Sequence, residues 1–107
     1  MATFINLTPH TINVVQSEVG TISVPASGTV ARCAQTTEIA YNVGDIVCRR
    51  TVYGDVEGLP DRSPGVFYIV SALVRTAVPN RGDVLSPGEL VRDSAGQPIG
   101  CKGLICN

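Results

Sequence analysis

The sequence predicts a mainly β domain of the α+β class: a small antiparallel sheet of short hairpins carrying one short helix. Three observations lead there. Short runs rich in β-branched residues recur from the first residues onward. Gly, Pro and Asn punctuate those runs at turn-like intervals. Apolar residues seldom keep helical spacing for more than two turns. The 107 residues suffice for one domain, spanning 1–107, and are too few for a two-domain cleft enzyme.

The elements follow in order. Runs 3–7 and 11–16 flank Thr8-Pro9-His10, where proline removes a backbone donor and bends the chain. Ser17-Glu18-Val19-Gly20 turns into 21–25, and Ala26-Ser27-Gly28 turns into 29–35, giving successive antiparallel hairpins. Runs 38–41 and 46–52, joined by Asn42-Val43-Gly44-Asp45, predict a third hairpin. Residues 53–65 lack periodicity, contain Gly54, Gly58, Pro60, Pro64 and Gly65, and read as the principal surface loop. Residues 66–70 form the most apolar run, expected at the centre of the sheet. Ser71 then caps a helix over 72–78, with Leu73, Val74 and Ala77 facing inward and Pro79-Asn80 ending it. Runs 83–85, 89–92 and 98–105 return to short strands, with Asp93-Ser94-Ala95-Gly96 as a further turn.

A 44% hydrophobic, 16% charged chain with mean hydropathy +0.23 can bury a core. Its formal net charge of −1 supplies no global attraction for a long nucleic acid or an anionic membrane, so neither is an expected partner. No Trp, three Tyr and two Phe leave few platforms for stacking successive bases. MATFINLTPH lacks a basic region followed by a long apolar one, and no apolar run nears the roughly 20 residues of a membrane span, so an intracellular location is expected. In that compartment Cys33, Cys48, Cys101 and Cys106 are expected as free thiols, packing as small hydrophobes.

Little catalytic chemistry is legible. His10 is the only histidine, and beside Pro9 it reads as a turn residue before it reads as an acid–base group. Neither a nucleophile elbow nor a phosphate-cradling glycine loop occurs, and Asp55, Glu57 and Asp61 match no calcium loop. No catalytic residue, metal site or cofactor is therefore expected. What remains is arginine near loops: Arg49-Arg50, Asn80-Arg81 and Arg92-Asp93. A few guanidinium forks and one aromatic partner, Phe67 or Tyr68, suffice for a small nucleotide. Adjacent strand residues point to opposite faces, so only one of the two aromatics can stack in a given site.

The segments Ile5-Asn6-Leu7-Thr8-Pro9-His10, Ile22-Ser23-Val24-Pro25-Ala26-Ser27-Gly28-Thr29-Val30-Ala31-Arg32, Tyr53-Gly54-Asp55-Val56-Glu57-Gly58-Leu59-Pro60, Tyr68-Ile69-Val70-Ser71 and Leu90-Val91-Arg92-Asp93 together resemble a family of small phage and prophage proteins over nearly the whole chain. That family is similar to the phage Thoeris anti-defence sponges, which capture cyclic ADP-ribose immune signals and, in some members, cyclic oligonucleotides. The resemblance implies a homo-oligomer in the cytoplasm of a bacterial host, with pockets shared between protomers and no cleavage of the ligand. It implies an aromatic stacked on adenine and arginines on the pyrophosphate. The matching positions are Arg92 and Asp93, then Phe67, Tyr68, Asn80 and Arg81, with Arg49 or Arg50 at a second phosphate. A phage structural or protein-interaction module, and a small enzyme cleaving cyclic nucleotides through His10, are the alternative expectations.

Overall fold

The β-branched runs become eight strands and one helix in a computed structural model that describes residues 2–16 and 20–107. The turn expected at 17–20 falls, Gly20 apart, outside the described residues. In chain order the elements are β1 (Thr3–Asn6), β2 (Ile12–Gln16), β3 (Gly20–Val24), β4 (Arg32–Val43), β5 (Ile46–Glu57), β6 (Val66–Ile69), α1 (Ala72–Ala77), β7 (Val84–Arg92) and β8 (Pro98–Cys106). The mainly β reading with one short helix holds. Three antiparallel hairpins form, β2–β3, β4–β5 and β7–β8.

Six strands make one sheet in the order β1-β6-β7-β8-β2-β3. Besides its hairpins it contains parallel pairings: β1 with β6, β6 with β7, and β8 with β2. The apolar run of β6 is thus second from one edge and not central. The hairpin expected between 21–25 and 29–35 does not form, because β3 pairs only with β2 while β4 leaves the sheet to pair with β5.

The β4–β5 ribbon is longer than its sequence suggests, with twelve residues in each strand. It absorbs residues 53–57 of the expected surface loop, which shrinks to 58–65. Register shifts between Cys33 and Gln35 and between Ile39 and Tyr41 mark bulges, which break the alternation a strand normally prints in its sequence. The radius of gyration is 16.9 Å and the extents are 55 × 39 × 23 Å, whereas a compact chain of this length has a radius of about 13 Å. The ribbon is an arm extending from the body.

Strand β7 runs unbroken through Ser86-Pro87-Gly88, where the sequence suggested two strands. Its neighbour β6 pairs only as far as Leu85, so that neighbour requires no N–H from Pro87. At Gly88 the chains approach so closely that a Cβ would run into the Lys102 carbonyl.

One face of the sheet packs its apolar residues under α1. Leu7, Ala31, Tyr68, Val70, Val74 and Val84 form this core, with Cys33 and Val56 of the ribbon base packed against it. Burial of these side chains contributes most of the stabilisation, roughly 1.5–3 kcal/mol for each large aliphatic or aromatic one. On β6 the alternate side chain, Phe67, turns to the other face and meets Phe4 with ring centroids 5.9 Å apart.

The sheet also curls until its edges meet. Asn6 at the end of β1 bridges to Ala26 just beyond β3, and the Ser27 N–H donates to the Asn6 carbonyl at 3.0 Å. The Asn6 side chain, 1% exposed, secures this seam. Its Nδ2 donates to the carbonyls of His10 (2.7 Å) and Val24 (2.9 Å), and its Oδ1 accepts from the Thr8 N–H (2.9 Å) and hydroxyl (2.6 Å).

Helix α1 begins where expected. Ser71 is extended, with φ −66° and ψ 158°, and its hydroxyl accepts the Val74 N–H at 3.3 Å. Val74 is buried and Leu73 half-buried, but Ala77 is exposed; Val78, just past the last turn, packs on the core in its place. At the helix end the carbonyls of Arg75, Val78 and Arg81 accept the N–H groups of Val78, Arg81 and Val84, and Asn107 Nδ2 adds a second donor to them at 3.0, 2.9 and 3.4 Å. Asn107→Ala is expected to cost about 1 kcal/mol, lowering the thermal midpoint by about 5 °C in calorimetry. An unchanged midpoint would mean that water replaces these bonds without loss.

Candidate ligand site

Arg92 and Asp93 stand together at the corner of the β7–β8 hairpin. The Asp93 backbone exchanges bonds with Gln97 and Gly96, at 2.9 and 3.0 Å. Its Oδ1 accepts the N–H groups of Ala95 (2.9 Å) and Gln97 (3.0 Å), a local side-chain turn of the kind aspartate favours. Arg92 closes the corner by donating Nη1–H to the Gly96 carbonyl at 2.8 Å. Its remaining N–H groups have no protein partner among the described residues, and it makes no salt bridge there. The corner is a held turn presenting an uncommitted guanidinium.

A hollow of about 470 Å³ lies beside it, lined by residues including His10, Asn13, Pro87, Leu90, Pro98 and Ile99. Pro98 is the register partner of Arg92, so the hairpin corner adjoins the hollow, while Arg92 and Asp93 are not themselves among its lining residues. Leu90 and Ile99 are about half exposed, at 51% and 47%, and give the hollow an apolar floor. Its volume falls within the roughly 300–1,000 Å³ typical of small-molecule sites. His10 meets the turn expectation: its carbonyl accepts from Asn6 and Thr8, and the residue is among those lining the hollow.

Arg81 is committed elsewhere. Its Nε and Nη2 grip both oxygens of Asp83 at 2.8 and 2.9 Å, and Nη2 also reaches the Pro60 carbonyl. This fork, helped by Arg62 at 3.4 Å, holds the Asp83 carboxyl well below its ordinary range, at about 2. The shift means that the carboxylate favours the folded state by at most about 2 kcal/mol at neutral pH. Because the folded value lies below the unfolded one, this stabilisation is complete above about pH 4. It fades as pH falls towards 2. Asp83→Asn should therefore lower stability at pH 7 and flatten the acid limb of a denaturation-versus-pH series. A parallel curve displaced at every pH would rule out the ion pair as its source.

Tyr68 is also unavailable to a ligand. It is buried in the core, with its hydroxyl donating to the Asp61 carbonyl at 3.2 Å. Phe67 lines a second hollow of about 430 Å³ with Arg62, Gly82 and Asp83. Asn80 is exposed in the turn that follows α1. Arg49 and Arg50 stand on the arm, exposed, with Arg50 3.7 Å from Glu38.

Within one chain, then, Phe67, Asn80 and Arg81 belong to one neighbourhood at the start of β7. Arg92 and Asp93 lie at its other end, eight residues or roughly 26 Å along the strand. Arg49 and Arg50 belong to neither. The sequence did not single out Arg62, which stands beside Phe67, or Leu90 and Ile99, whose exposure depends on sheet order. Among the described residues no three His, Cys, Asp or Glu side chains gather as a metal-binding group, and no helix is long and apolar enough to cross a membrane. Asp55 and Glu57, expected in a loop, are in β5. Of the cysteines only Cys101 is buried; Cys33 and Cys48 are half-buried, and Cys106 is exposed, contrary to the packing expectation. No family model, curated protein or solved structure matches the chain.

Proposed function

We propose that this protein is a phage anti-defence sponge, which binds a cyclic nucleotide immune signal, a cyclic ADP-ribose isomer or a cyclic oligonucleotide, and holds it uncleaved. The observation that carries the reading is the Arg92–Asp93 corner, next in the β7–β8 ladder to Pro98 and Leu90 of the 470 Å³ hollow. A diphosphate needs guanidinium N–H groups that no carboxylate already occupies, and Arg92 supplies them. The free Oδ2 of Asp93 can accept a ribose hydroxyl, and Leu90 and Ile99 offer apolar area to a base. Of the aromatics matched by the resemblance, Phe67 retains an accessible ring and Tyr68 does not. Since Phe67 and Arg92 are far apart on one chain, a pocket using both would be completed by a second protomer. Sequestration requires tight binding and slow release, not turnover.

The test is to incubate the pure protein with cyclic ADP-ribose isomers and cyclic oligonucleotides, remove free ligand, denature, and identify the released compound by chromatography. Intact ligand near one per site supports sequestration. Altered ligand would make the protein an enzyme, and no retained ligand would overturn the reading. The second reading, a structural or protein-interaction module, is favoured by the apolar arm. Incorporation into particles without ligand would support it.

A further inference from the structure

An isolated two-stranded ribbon is marginal in water, because neither face nor either edge is covered. Here twelve-residue strands project from the body, and seven of the large exposed hydrophobics are on them: Ile39, Tyr41, Val43, Ile46, Val47, Val52 and Tyr53. The six-stranded sheet brings its own edges together at the Asn6–Ala26 seam. The ribbon does not: β4 pairs only with β5, leaving an outer edge on each strand. Such edges and apolar area mark an association surface.

The charges along β5 indicate what covers it. Reading from the tip inward, Ile46-Val47-Cys48-Arg49-Arg50-Thr51-Val52-Tyr53-Gly54-Asp55-Val56-Glu57 carries two cations in its outer half and two anions in its inner half. A second β5 laid antiparallel about a two-fold axis near Val52 and Tyr53 sets the cationic half of each strand against the anionic half of the other. Adjacent side chains point to opposite faces, so one of Arg49 and Arg50 comes directly opposite one of Asp55 and Glu57, and the symmetry makes that contact twice. Opposite charges facing one another across antiparallel strands stabilise the pairing, and like charges destabilise it. Parallel pairing would instead set cation against cation. Strand β4 has only Arg32 and Glu38 and lacks this self-complementary pattern. Arg49 makes no salt bridge among the described residues, and the 3.7 Å contact of Arg50 with Glu38 is between largely exposed groups, so both can be re-paired at little cost.

We infer that two copies of this chain associate through their β5 edges, joining two ribbons into one four-stranded antiparallel sheet. The inference is independent of the ligand proposed above, because it rests on the arm alone.

The experiment compares three full-length chains by analytical ultracentrifugation: wild type, R49E/R50E and D55R/E57R. Wild type is expected to dimerise. Each charge-swapped chain sets like charges against each other and should self-associate roughly a hundredfold more weakly. An equimolar mixture of the two swapped chains restores every opposite-charge contact and should recover a heterodimer. All substitutions are at exposed or half-exposed positions, and circular dichroism checks that each chain is folded. A monomeric wild type, swapped chains that associate as wild type does, or a mixture that fails to recover would each overturn the inference.

Discussion

Asn6→Asp is expected to lose about 4 kcal/mol or more of folding stability at neutral pH, out of the roughly 5–15 kcal/mol typical of a domain. The substitution is nearly isosteric, so the loss isolates one chemical change. Nδ2, a donor to the carbonyls of His10 and Val24, becomes an acceptor facing two acceptors in a site only 1% exposed. Two carbonyls lose their donor, and a carboxylate is buried without a cation. The seam between β1 and the end of β3 should open first, since the bond to Val24 crosses it. Urea unfolding at pH 7 reads the loss. Acid should reduce it: burial raises the folded pKa of the introduced carboxyl above its unfolded value. The deficit is thus full above the folded value and shrinks as pH falls through it, because the protonated group regains one donor. Asn6→Asp unfolding at the wild-type urea midpoint would show that the side chain does not secure the seam.

The second large effect is on binding. Arg92→Ala should weaken retention of the cyclic nucleotide about a hundredfold, the size expected for one charge-assisted pair of hydrogen bonds to phosphate. Its cost to the fold should stay within about 0.5 kcal/mol, because among the described residues the side chain makes only the exposed bond to Gly96. Arg92→Lys keeps the charge and loses the planar fork, so it should fall between the two. Equilibrium binding on the two Arg92 variants and the wild-type chain, with unfolding run in parallel, separates loss of site from loss of structure. A folded Arg92→Ala chain that binds as wild type does would remove Arg92 from the site.

Local signals in this chain were legible and long-range ones were not. The Ser71 cap, the helix it starts and the apolar β6 run were visible because capping and hydrophobic continuity depend on nearby residues. The partner of a strand depends on distant ones. Nothing near Thr3–Asn6 indicates that it will lie parallel to Val66–Ile69, and hairpin logic fails for β3 and β4, which are consecutive but belong to different sheets. The arm was shortened for another reason. Strands exposed on both faces need no regular alternation, so the polar, glycine-containing end of β5 looked like a loop. The site suffered from the same blindness. Arg81 and Arg92 are equally attractive in sequence, but Asp83, two residues from Arg81, claims its fork while Asp93 turns its carboxylate to its own backbone.

The place of β8 in the sheet order bears on how the polypeptide acquires its shape as it is made. It lies between β7 and β2, and Val14 waits for Cys101 before the first hairpin can join the rest. A nascent chain emerging from the ribosome can close β2–β3 and then β4–β5, yet it cannot seat the first hairpin until β8 has been translated. Contacts this distant in sequence make for slow folding, on the order of milliseconds to seconds. During that interval the unjoined hairpins present open edges to their neighbours. A polysome crowded with such intermediates, rather than the finished molecule, is where aggregation would begin.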